Sequence, residues 1–138
     1  LLLAIVALAS PTQAQTTESP TRERSFRLGQ NYPNPFNPTT RIPLYLDASL
    51  FEGGRPVRVT VIIANPLRQL VAYPTALNHP AGNGAEVNNL EYFAPGEYEV
   101  FWDGTDRNGN KVASGLYFAQ LVVNGQPAAR PERLVVAK

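Results

Sequence analysis

The hydrophobic positions of this chain alternate; they do not recur at helical spacing. "VRVTVII" puts Val57, Val59, Val61 and Ile63 on one face and sends Ile62 to the other. A period of two marks a half-buried strand. "YEVFW" repeats the pattern, with Tyr98, Val100 and Trp102 together and Glu99 and Phe101 opposite. "GLYFAQLVV", Gly115–Val123, is the longest such run. Shorter apolar segments predict strands at Arg41–Leu46, Gln69–Tyr73 and Ala129–Val136, and a weaker one at Leu90–Phe93. Asn124-Gly125 predicts a tight hairpin, because a type I′ turn needs positive φ at both central residues. Thirteen prolines and ten glycines break the chain into short pieces. The pattern predicts an all-β fold, an antiparallel β-sandwich of about seven strands. The long Tyr73–Tyr98 connection favours it over a small closed barrel, since Greek-key crossovers need such a link.

The chain before this region reads differently. "LLLAIVALAS" is apolar over about nine residues, too short to span a bilayer. Small residues at Thr12 and Ala14 fit a signal-peptidase site, with cleavage between Ala14 and Gln15. With no methionine at position 1, residues 1–14 are expected to be the tail of a secretory signal whose basic start is missing. An uncleaved membrane anchor is the alternative. Residues 15–27 are polar and aperiodic and predict a flexible linker, which leaves 28–138 for the sandwich.

Composition narrows the chemistry. The 138 residues carry a formal net charge of +1, and the basic ones are scattered. That disfavours a nucleic-acid partner, which needs a concentrated basic face. Without cysteine there is no disulfide, no thiolate catalysis and no cysteine-based metal site. The fold of an exported chain must then rest on packing alone.

The most unusual stretch is "LGQNYPNPFNPTTRIPLYL". Pro33, Pro35 and Pro38 fix φ and push the residues before them out of the helical region. The expectation is an extended, polyproline-like track that keeps carbonyls free for a partner. Tyr32 and Phe36 would fold back as lids on the sandwich edge, and Asn34 and Asn37 would close Asx turns. A structural reading stands beside it: a lead-in to an edge strand that stops sheets from adhering to each other.

Four blocks in order carry a family resemblance. They are "LGQNYPNPFNPTTRI", "VRVTVIIANPLRQLV", "APGEYEVFWDGTDRNGNKVASGLYFAQLVVNG" and "ARPERLVVAK". Together, over Leu28–Lys138, they closely resemble the type A C-terminal sorting domain of the type IX secretion system. The Trp-Asp-Gly block is also shared with the immunoglobulin-like domain of the flagellar hook-capping protein. The sequence departs from the family at Arg68, where glycine is common, and in longer connections at "DASLFEGGRP" and Pro74–Pro95. The resemblance implies an immunoglobulin-like sandwich on the cell surface or outside the cell. It also implies recognition by the outer-membrane secretion machinery and a sortase-like protease. The residues expected to be read are Tyr32, Pro33, Asn34, Pro35, Phe36, Asn37, Pro38 and Thr39, with Leu134 and Lys138 of the closing strand.

Other candidates are weaker. Asp103, Asp106 and Asn108 in "WDGTDRNGNK" offer oxygens for calcium, but the spacing is not that of an EF-hand, and turn capping explains them as well. His79 is the only histidine, and Ser114 lies on no nucleophile elbow. Glu97 and Glu99 sit about 7 Å apart on one strand face, as solubilising charges do. Trp102, Tyr98 and Tyr117 could stack a sugar, although sharing a face with Val100 argues for core. No catalysis, no cofactor and no small-molecule substrate is expected. Because Ile62, Phe101 and Phe118 point away from the core phase, they are the candidates for contact between copies of the chain. The alternative function is therefore a structural subunit of a surface assembly.

Overall fold

The computed structural model describes residues 25–138. The expected cleavage site at Ala14 and Gln15, and most of the expected linker, lie outside the described residues.

Among the described residues, ten strands form two antiparallel sheets: β1 (Phe26–Leu28), β2 (Thr40–Leu46), β3 (Val57–Ala64), β4 (Leu70–Ala72), β5 (Thr75–Leu77), β6 (Leu90–Tyr92), β7 (Gly96–Trp102), β8 (Gly115–Val123), β9 (Gln126–Pro127) and β10 (Glu132–Val136). One sheet runs β1-β2-β7-β5 and the other β10-β8-β3-β4, with β6 on the free side of β3 and β9 beside β8. In immunoglobulin lettering this is ABED against GFC, with β4 added beside C. The immunoglobulin-like β-sandwich is therefore present, with three more short strands than the seven expected.

The period-two pattern explains the core. Val57, Val59, Val61 and Ile63 of β3 are fully buried, as are Ala119 and Leu121 of β8, which face the same way. Ile42, Leu44 and Val100 close the core from the other sheet. No cysteine pair bridges the sheets; Trp102 fills the centre, edge-on to Tyr117 at 5.6 Å and to Phe36 at 5.4 Å.

Three expectations are corrected. The linker does not extend to Arg27: Phe26 and Leu28 are buried, and β1 pairs with β2 from Phe26↔Leu46 to Leu28↔Leu44. The long Pro74–Pro95 connection is not only a loop, because β5 lies within it and pairs with β7. The return strand is split: after the Asn124-Gly125 turn (φ +51 and +82), β9 pairs with β8, Pro131 intervenes, and pairing resumes at Glu132↔Ala119. Proline has no N–H to continue a ladder. "DASLFEGG" forms short 3-10 turns across Ala48–Gly54, broken by a kink at Glu52 and Gly53 and started by Asp47, whose carboxylate accepts from Ser49 N–H at 2.9 Å.

Candidate functional site

The proline run is not the extended track expected from its sequence. It is a pinched loop. Tyr32 and Arg41 exchange both backbone hydrogen bonds at 2.9 Å and close its neck. Just inside, the buried Asn31 amide donates to Thr40 Oγ1 at 3.0 Å, and that hydroxyl donates to Pro33 O at 3.0 Å. The chain bends at residues 33–35 and again at 37–38. The Tyr32-Pro33, Asn34-Pro35 and Asn37-Pro38 peptides are all cis.

The loop brings its middle residue into the sandwich. Phe36 is buried against Trp102. Its N–H donates to Val135 O, and its carbonyl accepts from Ala137 N–H, each at 3.0 Å. That makes a parallel bridge between Phe36 and Val136. Asn34 Oδ1 accepts from Val135 N–H at 3.2 Å. Asn34 therefore reaches across to β10 and does not close an Asx turn on its own backbone. The carbonyls of Tyr32, Pro33 and Phe36 have internal partners, so the free-carbonyl expectation fails for these three.

The Trp-Asp-Gly block forms the floor of this loop. Trp102 Nε1 donates to Thr105 O at 2.9 Å, and Asp103 Oδ1 accepts from the N–H and hydroxyl of Thr105. Gly104 follows with φ +79, and an added Cβ there would lie 2.5 Å from Pro38 O. Only glycine satisfies both conditions. The first, third and fourth blocks thus converge: loop tip, tryptophan turn and closing strand are one hydrogen-bonded unit.

Of the residues named for recognition, Phe36 and Leu134 are buried and serve the core. Tyr32, Pro33, Pro35, Asn37, Pro38 and Lys138 are exposed, with Asn34 and Thr39 half-buried between them. Tyr32 keeps 47% of its surface open to solvent. The exposed set lies on the outside of the same unit.

The other candidates separate. Asp106 Oδ1 accepts from Asn108 and Asn110 N–H, so both aspartates are committed to turns, and no cluster of three metal-ligating side chains occurs among the described residues. His79 is buried; Nδ1 accepts from Ala81 N–H at 3.0 Å, and Nε2 bonds Glu91 O at 2.6 Å. Ser114 Oγ accepts from Lys138 N–H. Glu99 pairs with Arg41 at 3.4 Å. Trp102 is 2% and Tyr117 9% exposed, which leaves no open aromatic platform around them. Ile62 and Phe118 do share a sheet face, but Phe101 lies on the opposite sheet.

One feature was present in the sequence but missed by spacing arguments. "APGEY" and "ASGLY" are the same five-residue device. Tyr98 OH donates to Ala94 O at 2.6 Å and Tyr117 OH to Ala113 O at 2.7 Å, each over a glycine at φ +145. The second is a tyrosine corner at the start of β8, the strand where immunoglobulin-like folds carry one.

No protein-family model matches the chain, and no curated protein matches it. Among solved structures it is similar to dimeric latent PorU from Porphyromonas gingivalis, with a TM-score of 0.55 and 21% identity. The match covers 78% of this chain and 9% of that one. At that identity the likeness concerns the fold.

Proposed function

We propose that this chain is a non-enzymatic, exported immunoglobulin-like module that the type IX secretion machinery reads for export and attachment to the cell surface. The observation that carries this reading is the junction of the proline loop with β10. Segments about 100 residues apart, the two named by the family resemblance, are hydrogen-bonded into one element. A receptor that reads both then meets a single rigid surface, at little ordering cost. The fold's likeness to part of PorU, a type IX secretion component, points in the same direction. A sortase-like protease would act after export.

The intact mass of the native protein recovered from the cell surface tests this. The reading expects a short remnant, cut within residues 28–138, or a lipopolysaccharide-sized addition. A mass matching Gln15–Lys138, with nothing further cut or added, counts against it.

A second reading, a self-associating structural subunit, has one observation behind it. On the outward face of the second sheet, Ile62 and Phe118 lie with Leu116, Val122 and Val135, all half-buried. That face also carries Arg58, Thr60, Gln120 and Arg133, while the outward face of the first sheet sets Arg27, Arg41, Glu97 and Glu99 among Pro43, Tyr45 and Phe101. Stacking of the apolar faces would make a dimer. Sedimentation of the parent beside Phe118→Glu decides it: a parent that is monomeric at high micromolar concentration removes this reading.

A further inference from the structure

We propose that the free edge of β4 is a docking site for an extended, carboxylate-bearing peptide segment of a partner protein, which adds to the second sheet as a further strand. The proposal is independent of the secretion reading.

Most sheet edges in this fold are closed. Beside β5, the 84–87 segment exchanges backbone bonds with Ala76 and Pro74. His79 Nε2 holds the carbonyl of Glu91 on β6. Phe36 closes the end of β10. β1 lies where the described chain begins. β4 differs: it ends its sheet, and no described backbone or side-chain group is bonded to its outer side. An uncapped edge is a template for another strand.

The surroundings of this edge suit one kind of occupant. A groove of about 630 Å³ runs between Leu70 and Val71 and the 106–113 loop, with Tyr117 among its lining residues. Arg107 and Lys111 line it beside one carboxylate, Asp106, whose Oδ1 is taken up by the Asn108 and Asn110 N–H groups, and neither cation forms an ion pair with a described carboxylate. Leu67, 78% exposed, precedes the strand, and Leu70, 37% exposed, opens it. In the turn that leads into β4, Arg68 is held at φ +66. A long cationic side chain in the left-handed region, where glycine would relieve the backbone, is a local cost kept at this edge. Unpaired strand, apolar flank and three cations together fit an extended segment with carboxylates among its side chains.

The test uses the full chain, ¹⁵N-labelled, and the peptide Glu-Val-Thr-Val-Glu-Val-Glu, with a control in which lysine replaces each glutamate. The expected result is saturable movement of the Leu70–Ala72 and Arg107–Lys111 amides with the acidic peptide. Binding should weaken at least tenfold in Arg107→Glu/Lys111→Glu. Arg68→Gly should weaken it too while raising the melting temperature, which separates recognition from folding. Equal binding of the lysine peptide, amide movements confined to other edges, or no binding at millimolar peptide overturns the proposal. So does a dimer whose second copy already occupies β4.

Discussion

Gly104 shows how one position can be fixed twice. Its φ of +79 strains any side chain, and Pro38 O stands where a Cβ would go. Gly104→Ala is expected to cost about 2–3 kcal/mol, read as a lowered urea midpoint. Arg68 carries a full side chain at a φ of +66, where glycine would be unstrained. The tyrosine corners allow a paired comparison. Tyr117→Phe removes a hydrogen bond at a residue 9% exposed and should cost about 1 kcal/mol or more, while Tyr98→Phe, at a more open site, should cost less. Much of this scale was legible in the sequence. The turn-capping role of Asp103 and Asp106 follows from residue type, and the Asn124-Gly125 turn was read correctly. Asn34 was misread, because its partner is the backbone of Val135, 101 positions away, and local turn rules see only near neighbours.

Among the elements, long alternating strands were readable and short ones were not. β3 and β8 bury alternate residues nearly throughout, and β7 does so at Val100 and Trp102 with Tyr98 half-buried in the same phase, enough to show a period. β1 and β5 have three residues each, and their pairing with β2 and β7 supplies an order that their own sequence does not encode. The proline loop was recognised as special for its rigidity, but its shape depends on tertiary bonds at the neck and the tip. Phe36 holds that tip. Phe36→Ala is expected to destabilise the fold by about 3–4 kcal/mol. It should also speed hydrogen exchange at Val135 and Ala137, which bond to the loop, more than at Val59 in the central strand.

For the molecule as a whole, stability should depend on pH through a few carboxyls. Partial burial pushes the Glu132 carboxyl above its ordinary range. The folded state therefore favours its protonated form. That contribution is full below the ordinary glutamate pKa and is lost as pH rises through the raised folded value. Glu132→Gln should match the parent near pH 3 and exceed it in urea midpoint near pH 7. Asp47 acts in the other direction: hydrogen bonds from Ser49 lower its pKa, so its contribution is present at neutral pH and is lost on acidification. The sandwich class was legible because alternation and turn signals act along the whole chain. The convergence of the proline loop, the tryptophan turn and β10 was not, since it exists only once the two sheets have closed. That convergence is the centre of the functional account, and surface display tests it most directly. The full chain would be expressed in cells with active type IX machinery and in the same cells with it disabled, beside Tyr32→Ala/Asn37→Ala, two exposed changes expected to leave the melting temperature unchanged. The account predicts that the parent reaches the surface only with the machinery, and that the folded double variant is displayed at least tenfold less. A double variant displayed as well as the parent, or a parent displayed without the machinery, would contradict it.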